Sequence, residues 1–262
     1  MNDIKLAVIG GSGVYQPAML DDVAEVAVDT PYGSIRPMVG RIAGKKVAFL
    51  ARHGKDHSLL PHQLNYRANL WGLKELGVER IIATTAVGSL REEFAPGSLV
   101  LVDQFLDFTK QRPLTFFENG DVLRAHIDVT EPYCSDLRRQ LEQAAASLGI
   151  AVHSGGCYVC AEGPRYETAA EIRMYRQLGG SVVGMTGVPE VVLARELGIC
   201  YAGISMVTNW GAGISSSPLA HADVVQIMNE NQQKIVNLII RCYQEITNGR
   251  TCACRGGKGE DH

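Results

Sequence analysis

Basic excess, long apolar runs and the common nucleotide-binding signatures are what this sequence lacks. Its 25 Lys and Arg stand against 28 Asp and Glu, a formal charge of −3. No basic block occurs, so nucleic acid is not an expected partner. No apolar run reaches the roughly 18 residues of a membrane span. No charged leader with an apolar core precedes the first strand pattern, so no signal peptide is expected either. The seven cysteines are odd in number and read as reduced thiols, not a disulfide framework. The expected compartment is the cytoplasm. No internal repeat is visible.

What is there suits one globular unit. The chain has 262 residues, 46% hydrophobic and 20% charged, enough to bury a full core in a single domain. Val- and Ile-rich runs recur: "KLAVIG", "KVAFLAR", "RIIATTAVG", "SLVLVDQFLDF", "AVHSGGCYVCAEG", "GSVVGM" and "ICYAGISMVTNW". They read as strands. Helical patterns fall between several of them. "SDLRRQLEQAAASLG" has Ser135 as its expected cap, "PEVVLARELG" places Pro189 in a first turn, and a last helix is expected over about 222–247. The fold class that follows is α/β, with a central mixed, largely parallel β-sheet flanked by helices. The domain is expected over 1–248, with a flexible C-terminal tail over 249–262.

Two cysteine pairs draw notice. Cys252 and Cys254 form C-x-C in "NGRTCACRGGKGEDH". They read as incidental thiols on a frayed end, since two further ligands for a metal are missing from the segment. Cys157 and Cys160 sit in a strand pattern on opposite faces, which suits core packing.

The stretch "AVIGGSGVY" runs a strand into a glycine loop able to hold a phosphate. Val14, Tyr15 and Gln16 follow Gly13, so the third glycine of a dinucleotide fingerprint is absent. No Gly-Lys-Ser/Thr occurs, so it is not a P-loop. Three other strand ends carry groups that suit an anion. They are Arg52 and His53 with His57 in "ARHGKDH", Thr84 and Thr85 before Gly88, and Met185 and Thr186 before a helix N-terminus. Ligands of open α/β sheets collect at carboxyl ends of strands. The convergence favours a bound phosphate ion over any single loop.

In order along residues 4–247, "GGSG", "DTPYG", "ARHG", "HQLNYRANLWGLKELG", "TTAVGSLREE", "VDQFLDFT", "EGPRYET" and "GMTGVPEVVLARELGICYA" lead to the Asn209 segment. Together they resemble the trimeric purine nucleoside phosphorylase and methylthioadenosine phosphorylase family. The resemblance implies phosphorolysis of a purine nucleoside, with inorganic phosphate as co-substrate and neither cofactor nor metal. Carried over by position, phosphate would be bound by Ser12, Arg52, His53, Thr85, Ala86 and Thr186. Met185 would pack under the sugar, and Glu167 and Asn209 would read the base. His221 would reach the ribose 5′-hydroxyl, and a neighbouring subunit would lend His126. A homotrimer or dimer of trimers is implied.

Asn209 stands where the adenine branch of that family has Asp, and Gly211 where it has a second Asp. Asn donates to O6 or N7 of a 6-oxopurine, while Glu167 accepts from N1–H. Inosine and guanosine are therefore the expected substrates. The look of "TTAVGSLREE" and "VPEVVLARELGICYA" is nearer the methylthioadenosine branch, so methylthioinosine or methylthioadenosine remains the alternative. Two rivals from other classes are weaker. A non-catalytic nucleotide-binding module would want the missing glycine. A nucleoside hydrolase would want clustered calcium-binding aspartates near the N-terminus, where only Asp21 and Asp22 stand.

Overall fold

The computed structural model describes residues 4–11, 20–118, 126–215, 221–246 and 249–255. In chain order the strands are Leu6–Gly10 (β1), Asp21–Glu25 (β2), Val28–Thr30 (β3), Gly33–Ile35 (β4), Met38–Ile42 (β5), Lys45–Ala51 (β6) and Arg80–Ser89 (β7). Leu99–Leu101 (β8), Gln104–Phe108 (β9), His153–Ser154 (β10), Cys157–Ala161 (β11), Val182–Gly184 (β12) and Cys200–Trp210 (β13) complete them. The α-helices are Tyr66–Glu75 (α1), Ser135–Ser147 (α2), Ala169–Gln177 (α3), Gly187–Glu196 (α4) and His221–Glu245 (α5).

Every residue of β1 is buried, as a central strand covered on both faces must be. Its side chains alternate between two cores. Ala7 and Ile9 join Leu70 and Leu73 of α1 and Val188 and Val191 of α4. Leu6 and Val8 join Leu137 and Leu141 of α2 and Ile235 and Ile239 of α5. The two-residue period of the strand thus divides the protein into two layers of helix around one sheet. The expected architecture is present.

The sheet runs β10-β8-β13-β7-β1-β6-β5-β2. β6, β1, β7 and β13 are mutually parallel, so their carboxyl ends share one side. A branch, β9-β11-β12, joins β7 through an antiparallel contact at Gly88 and Ser89. β7 therefore changes partner along its length. β1 flanks it up to Ala83 and β12 from Gly88 onward, while β13 stays on its other flank throughout. Between those limits, Thr84–Val87 have no strand on one side among the described residues. This split in the sheet is where the site forms.

Several local readings change. "SLVLVDQFLDF" and "AVHSGGCYVCAEG" each make two strands, not one, because the chain crosses from main sheet to branch at both places. Gly155 and Gly156, at φ +92° and +154°, make one crossing. The Asp103 carboxylate at the other accepts from Gly156 N–H at 2.9 Å. The cap of α2 is Cys134, whose Sγ accepts from Leu137 N–H, one residue before the expected Ser135. β2 escaped the pattern reading because all five of its residues are exposed. Cys157 and Cys160 lie on β11, with Cys160 in the core as expected. The described part of the tail, 249–255, packs onto the domain, and Cys254 is buried.

Candidate functional site

A cavity of about 710 Å³ opens at the split. Its wall takes Arg52 and His53 after β6, Thr85 and Ala86 from β7, Met185 and Thr186 after β12, and Thr208 and Asn209 from β13. Glu167 and Gly211 complete the roof. Of the four strand ends singled out in the sequence, those after β6 and β12 meet here, Thr85 joins them from inside β7 and not from its end, and the loop after β1 lies outside the described residues from Ser12 on.

Arg52 is buried, and its guanidinium is oriented from three directions. Nε and Nη2 grip both carboxylate oxygens of Glu190 at 2.5 and 2.8 Å, and Nη1 donates to the Thr84 carbonyl at 2.7 Å. Tyr201 Oη donates to the same Glu190 carboxylate at 2.6 Å. Burial pulls the arginine pKa down, but the Glu190 charge overrides it and holds the group above its ordinary value. The Nε/Nη2 edge belongs to Glu190, and one N–H each of Nη1 and Nη2 remains for a ligand. Gly11 is required beside it, because a Cβ there would collide with Thr84 O and Arg52 Nη1.

Glu190 was missed in the sequence. The available signal was an acid in the first turn of a helix that is otherwise buried nearly all round. Such an acid must be paired.

His53 is neutral. Burial, then the Arg52 charge, press its pKa to about 4. Its Nδ1 lies 2.8 Å from the Leu59 carbonyl, which only accepts, so Nδ1 carries the proton. Nε2 is left as an acceptor. His53 thus suits the proton-bearing oxygen of hydrogen phosphate and adds no positive charge.

Thr186 occupies the N-cap position of α4, yet its side chain makes no capping bond. The common N-cap explanation of this threonine fails, and the residue lines the cavity. Tyr158 Oη accepts from the backbone N–H groups of Thr186 and Gly187 at 3.3 and 3.4 Å. Thr85 Oγ1 lies 3.0 Å from Ser205 Oγ.

On β13 the register with β7 shifts between Val207 and Asn209. A regular strand would point Thr208 and Asn209 to opposite faces; the bulge lets both line the cavity. Asn209 Nδ2 donates to the Trp210 carbonyl at 2.9 Å, and Oδ1 accepts from Thr208 Oγ1 at 2.8 Å. Because a carbonyl only accepts, the amide orientation follows, leaving one N–H of Nδ2 for a ligand. A Cβ on Gly88 would stand 3.2 Å from that nitrogen, so glycine there gives the amide its room.

Glu167 precedes the cap of α3. The cap is Thr168 and the first-turn acid is Glu171, which closes a capping box and pairs with Arg165 at 2.8 and 2.9 Å. The helix-dipole explanation of an acid here therefore belongs to Glu171. Burial pushes the Glu167 pKa up. Gly211 is tightly packed: a Cβ would sit 3.0 Å from the Ser89 carbonyl oxygen and 3.1 Å from Ile172. Met185 packs against Gly163, and its carbonyl accepts from the buried Arg112 at 2.7 Å.

Three expected residues are not brought together here. Ser12 lies outside the described residues. His221 opens α5, but its side chain lies outside them too. His126 is exposed and does not line the cavity of its own chain. α5 instead supplies Val225, Met228, Asn229 and Gln232, one helix face at i, i+3, i+4, i+7 that closes the cavity.

The phosphorylase superfamily model matches residues 5–244. A 6-oxopurine nucleoside phosphorylase of Pyrococcus furiosus is 52% identical, over 96% of each chain. An S-methyl-5′-thioadenosine phosphorylase of the same organism is 48% identical, over 95% of this chain and 96% of its own. The similarity expected to lean to the methylthioadenosine branch thus leans slightly the other way. A solved methylthioadenosine phosphorylase from an Antarctic soil metagenomic library superposes with a TM-score of 0.91 at 36% identity, covering 98% of this chain and 91% of its own. With a matched family model over nearly the whole length and a half-identical full-length relative behind the geometry, the chain belongs to the phosphorylase superfamily.

Proposed function

We propose that this protein is a purine nucleoside phosphorylase that cleaves 6-oxopurine ribonucleosides, inosine and guanosine, to free base and ribose 1-phosphate. One observation carries the choice of base: Asn209 has its amide oriented with an N–H left over, in the same cavity as the Glu167 carboxylate. A 6-oxopurine offers an acceptor at O6 or N7 and a donor at N1. Adenine has no N1–H and presents an amine where O6 would be.

Breaking the N-glycosidic bond builds positive charge on the sugar and negative charge on the base. Phosphate is the nucleophile at C1′. Arg52 and the Thr186 and Thr85 hydroxyls hold it as an anion facing the oxocarbenium-like sugar, which makes attack effectively unimolecular. Neutral His53 accepts from its protonated oxygen. The bond between C1′ and the purine nitrogen breaks as C1′–O forms, and the electron pair passes into the base. Asn209 Nδ2–H donates to the base as that charge grows, an interaction stronger in the transition state than in the ground state. Inorganic phosphate is the only co-substrate in this scheme, with no cofactor and no metal in the reaction. Ser12, His221 and a partner's His126 would complete the site. His126, exposed and away from its own cavity, suits a homotrimer or dimer of trimers. The setting is purine salvage in the cytoplasm. Among the described residues no helix is long and apolar enough to cross a membrane.

Initial rates on inosine, guanosine, methylthioinosine and methylthioadenosine, each with and without phosphate, test this directly. Phosphate-dependent turnover of inosine and guanosine is expected, with methylthioadenosine poor. A preference for methylthioadenosine would overturn the roles of Glu167 and Asn209.

A further inference from the structure

Far from the cavity, the structure gathers four of the seven cysteines. The sulfurs of Cys134, Cys200, Cys252 and Cys254 all lie within 4.8 Å of one another, and Cys200 and Cys252 Sγ are 3.3 Å apart. All are free thiols. The C-x-C pair seemed in the sequence to lack two ligands; the tertiary fold supplies them from the N-cap of α2 and the first residue of β13. We propose that these four cysteines form a structural tetrathiolate site for a zinc-type divalent cation, which fastens the C-terminal strap to the domain.

Zn–S bonds of about 2.3 Å arranged tetrahedrally put sulfurs about 3.8 Å apart. The observed spread brackets that value, so small side-chain adjustments close the shell. The Cys200–Cys252 pair is more than an ångström beyond the roughly 2.05 Å of a disulfide. Four soft sulfur donors with no carboxylate among them select a thiophilic cation over calcium or magnesium.

The surroundings suit thiolate charge. Cys134 Sγ accepts from Leu137 N–H at 3.5 Å at the positive end of α2. Arg250 Nη1 lies 3.8 Å from Cys200 Sγ. Such outer contacts orient ligands and offset the net charge of the complex. The strap is pre-positioned independently. Arg80 Nη2 holds the Gly249 carbonyl at 2.8 Å, Arg250 Nη1 donates to the Gly198 carbonyl at 3.0 Å, and Thr251 N–H reaches Asp136 at 3.0 Å. Cys134, Cys200 and Cys254 are buried, leaving little room for substrate at the cation. From Cys200 to Asn209, β13 runs about 30 Å at the rise of an extended chain. The site is therefore structural, outside the reaction.

The test begins with the full chain purified in reducing buffer without chelator. Elemental analysis should find about one zinc per chain, the stoichiometry of a closed four-cysteine site. Cobalt(II) substitution should give a thiolate-to-metal band with tetrahedral visible absorption. Cys252→Ser with Cys254→Ser should cut bound zinc at least tenfold, lower Tm and expose the strap to protease, while low-temperature phosphorolysis stays unchanged. Three results overturn the proposal. One is a reduced, unmodified native protein, its seven free thiols counted by alkylating a separate denatured sample, that takes up neither zinc nor cobalt on titration. Another is a native mass lower by four hydrogens, showing two disulfides, with no cation bound after reduction. The third is undiminished zinc in the double variant. The titrations on native protein decide the matter even if the variants fold poorly.

Discussion

At the Arg52 side of the cavity, nearly every strong polar group is already engaged within the protein. Glu190 and Thr84 hold the guanidinium, Leu59 holds His53, and Ser205 meets Thr85. At the Asn209 side, groups remain open: one amide N–H, part of Oδ1, and a Glu167 carboxylate whose neighbour Arg165 belongs to Glu171. The first side is organised before any ligand arrives, which suits a small symmetric anion that needs charge and placement. The second leaves groups that only a matching base edge satisfies. A mismatch there leaves buried donors and acceptors unpaired, the route to strong discrimination between similar ligands.

The largest effect should come from breaking the organised side. Glu190→Ala strands Arg52 as an uncompensated buried charge, which typically costs about 3–5 kcal/mol. Denaturant unfolding should show a loss of that size, together with a raised KM for phosphate. A stable variant with normal phosphate affinity would mean the pair is not what orders this side.

On the open side, Asn209→Ala should lower kcat/KM for inosine by about 10²–10³, the usual consequence of removing one transition-state donor, with little change in stability. Asn209→Asp replaces the donor by an acceptor and should raise activity on adenine nucleosides relative to inosine. Paired rates on inosine and adenosine check both; unchanged ratios would remove Asn209 from base reading.

Thr186→Val tests whether the organised side also contains a group kept free for ligand. Its hydroxyl caps nothing, so stability should hold within about 0.5 kcal/mol, as for substitutions away from structural features. Phosphate KM should rise about tenfold, for a hydrogen bond lost to a charged group. Loss of stability with unchanged KM would make Thr186 structural.

The most gradual effect is in pH. His53 titrates near 4 when folded, against 6.5 ordinarily. The unfolded chain therefore binds the extra proton between those values, and folding stability falls as pH drops from about 6.5 toward 4. The slope from this group is at most about 1.4 kcal/mol per pH unit. His53→Gln should flatten the wild-type curve across that window, and an identical slope would show that His53 is not buried neutral.

Much of the site was legible because Arg52 and Thr186 follow strands and Thr85 lies in a Val/Ile-rich run, placements that are local; that Thr85 sits inside β7 and not at its end was not legible. Asn209 was legible as a residue, but its orientation was not. It depends on the bulge against β7 and on Trp210 and Thr208 as partners. Glu190, Arg112 and the α5 face stayed hidden because each acts through contacts distant in sequence. Arg52 and Glu190 are 138 positions apart, and Arg112 and Met185 are 73.

By itself the sequence determined the α/β class, the order of most elements and the candidate anion groups, while the base-reading groups came from the family resemblance. Period-two and helical apolar patterns, glycine stops and strand ends are read over a few residues. Only the tertiary structure decided that β7 changes partners to open a cavity, that Arg52 is aimed by Glu190, and that Cys252 and Cys254 meet Cys134 and Cys200. Those outcomes depend on which distant segments pack together. Burial then sets which charges must be paired and which polar groups stay free, and no local pattern carries that information.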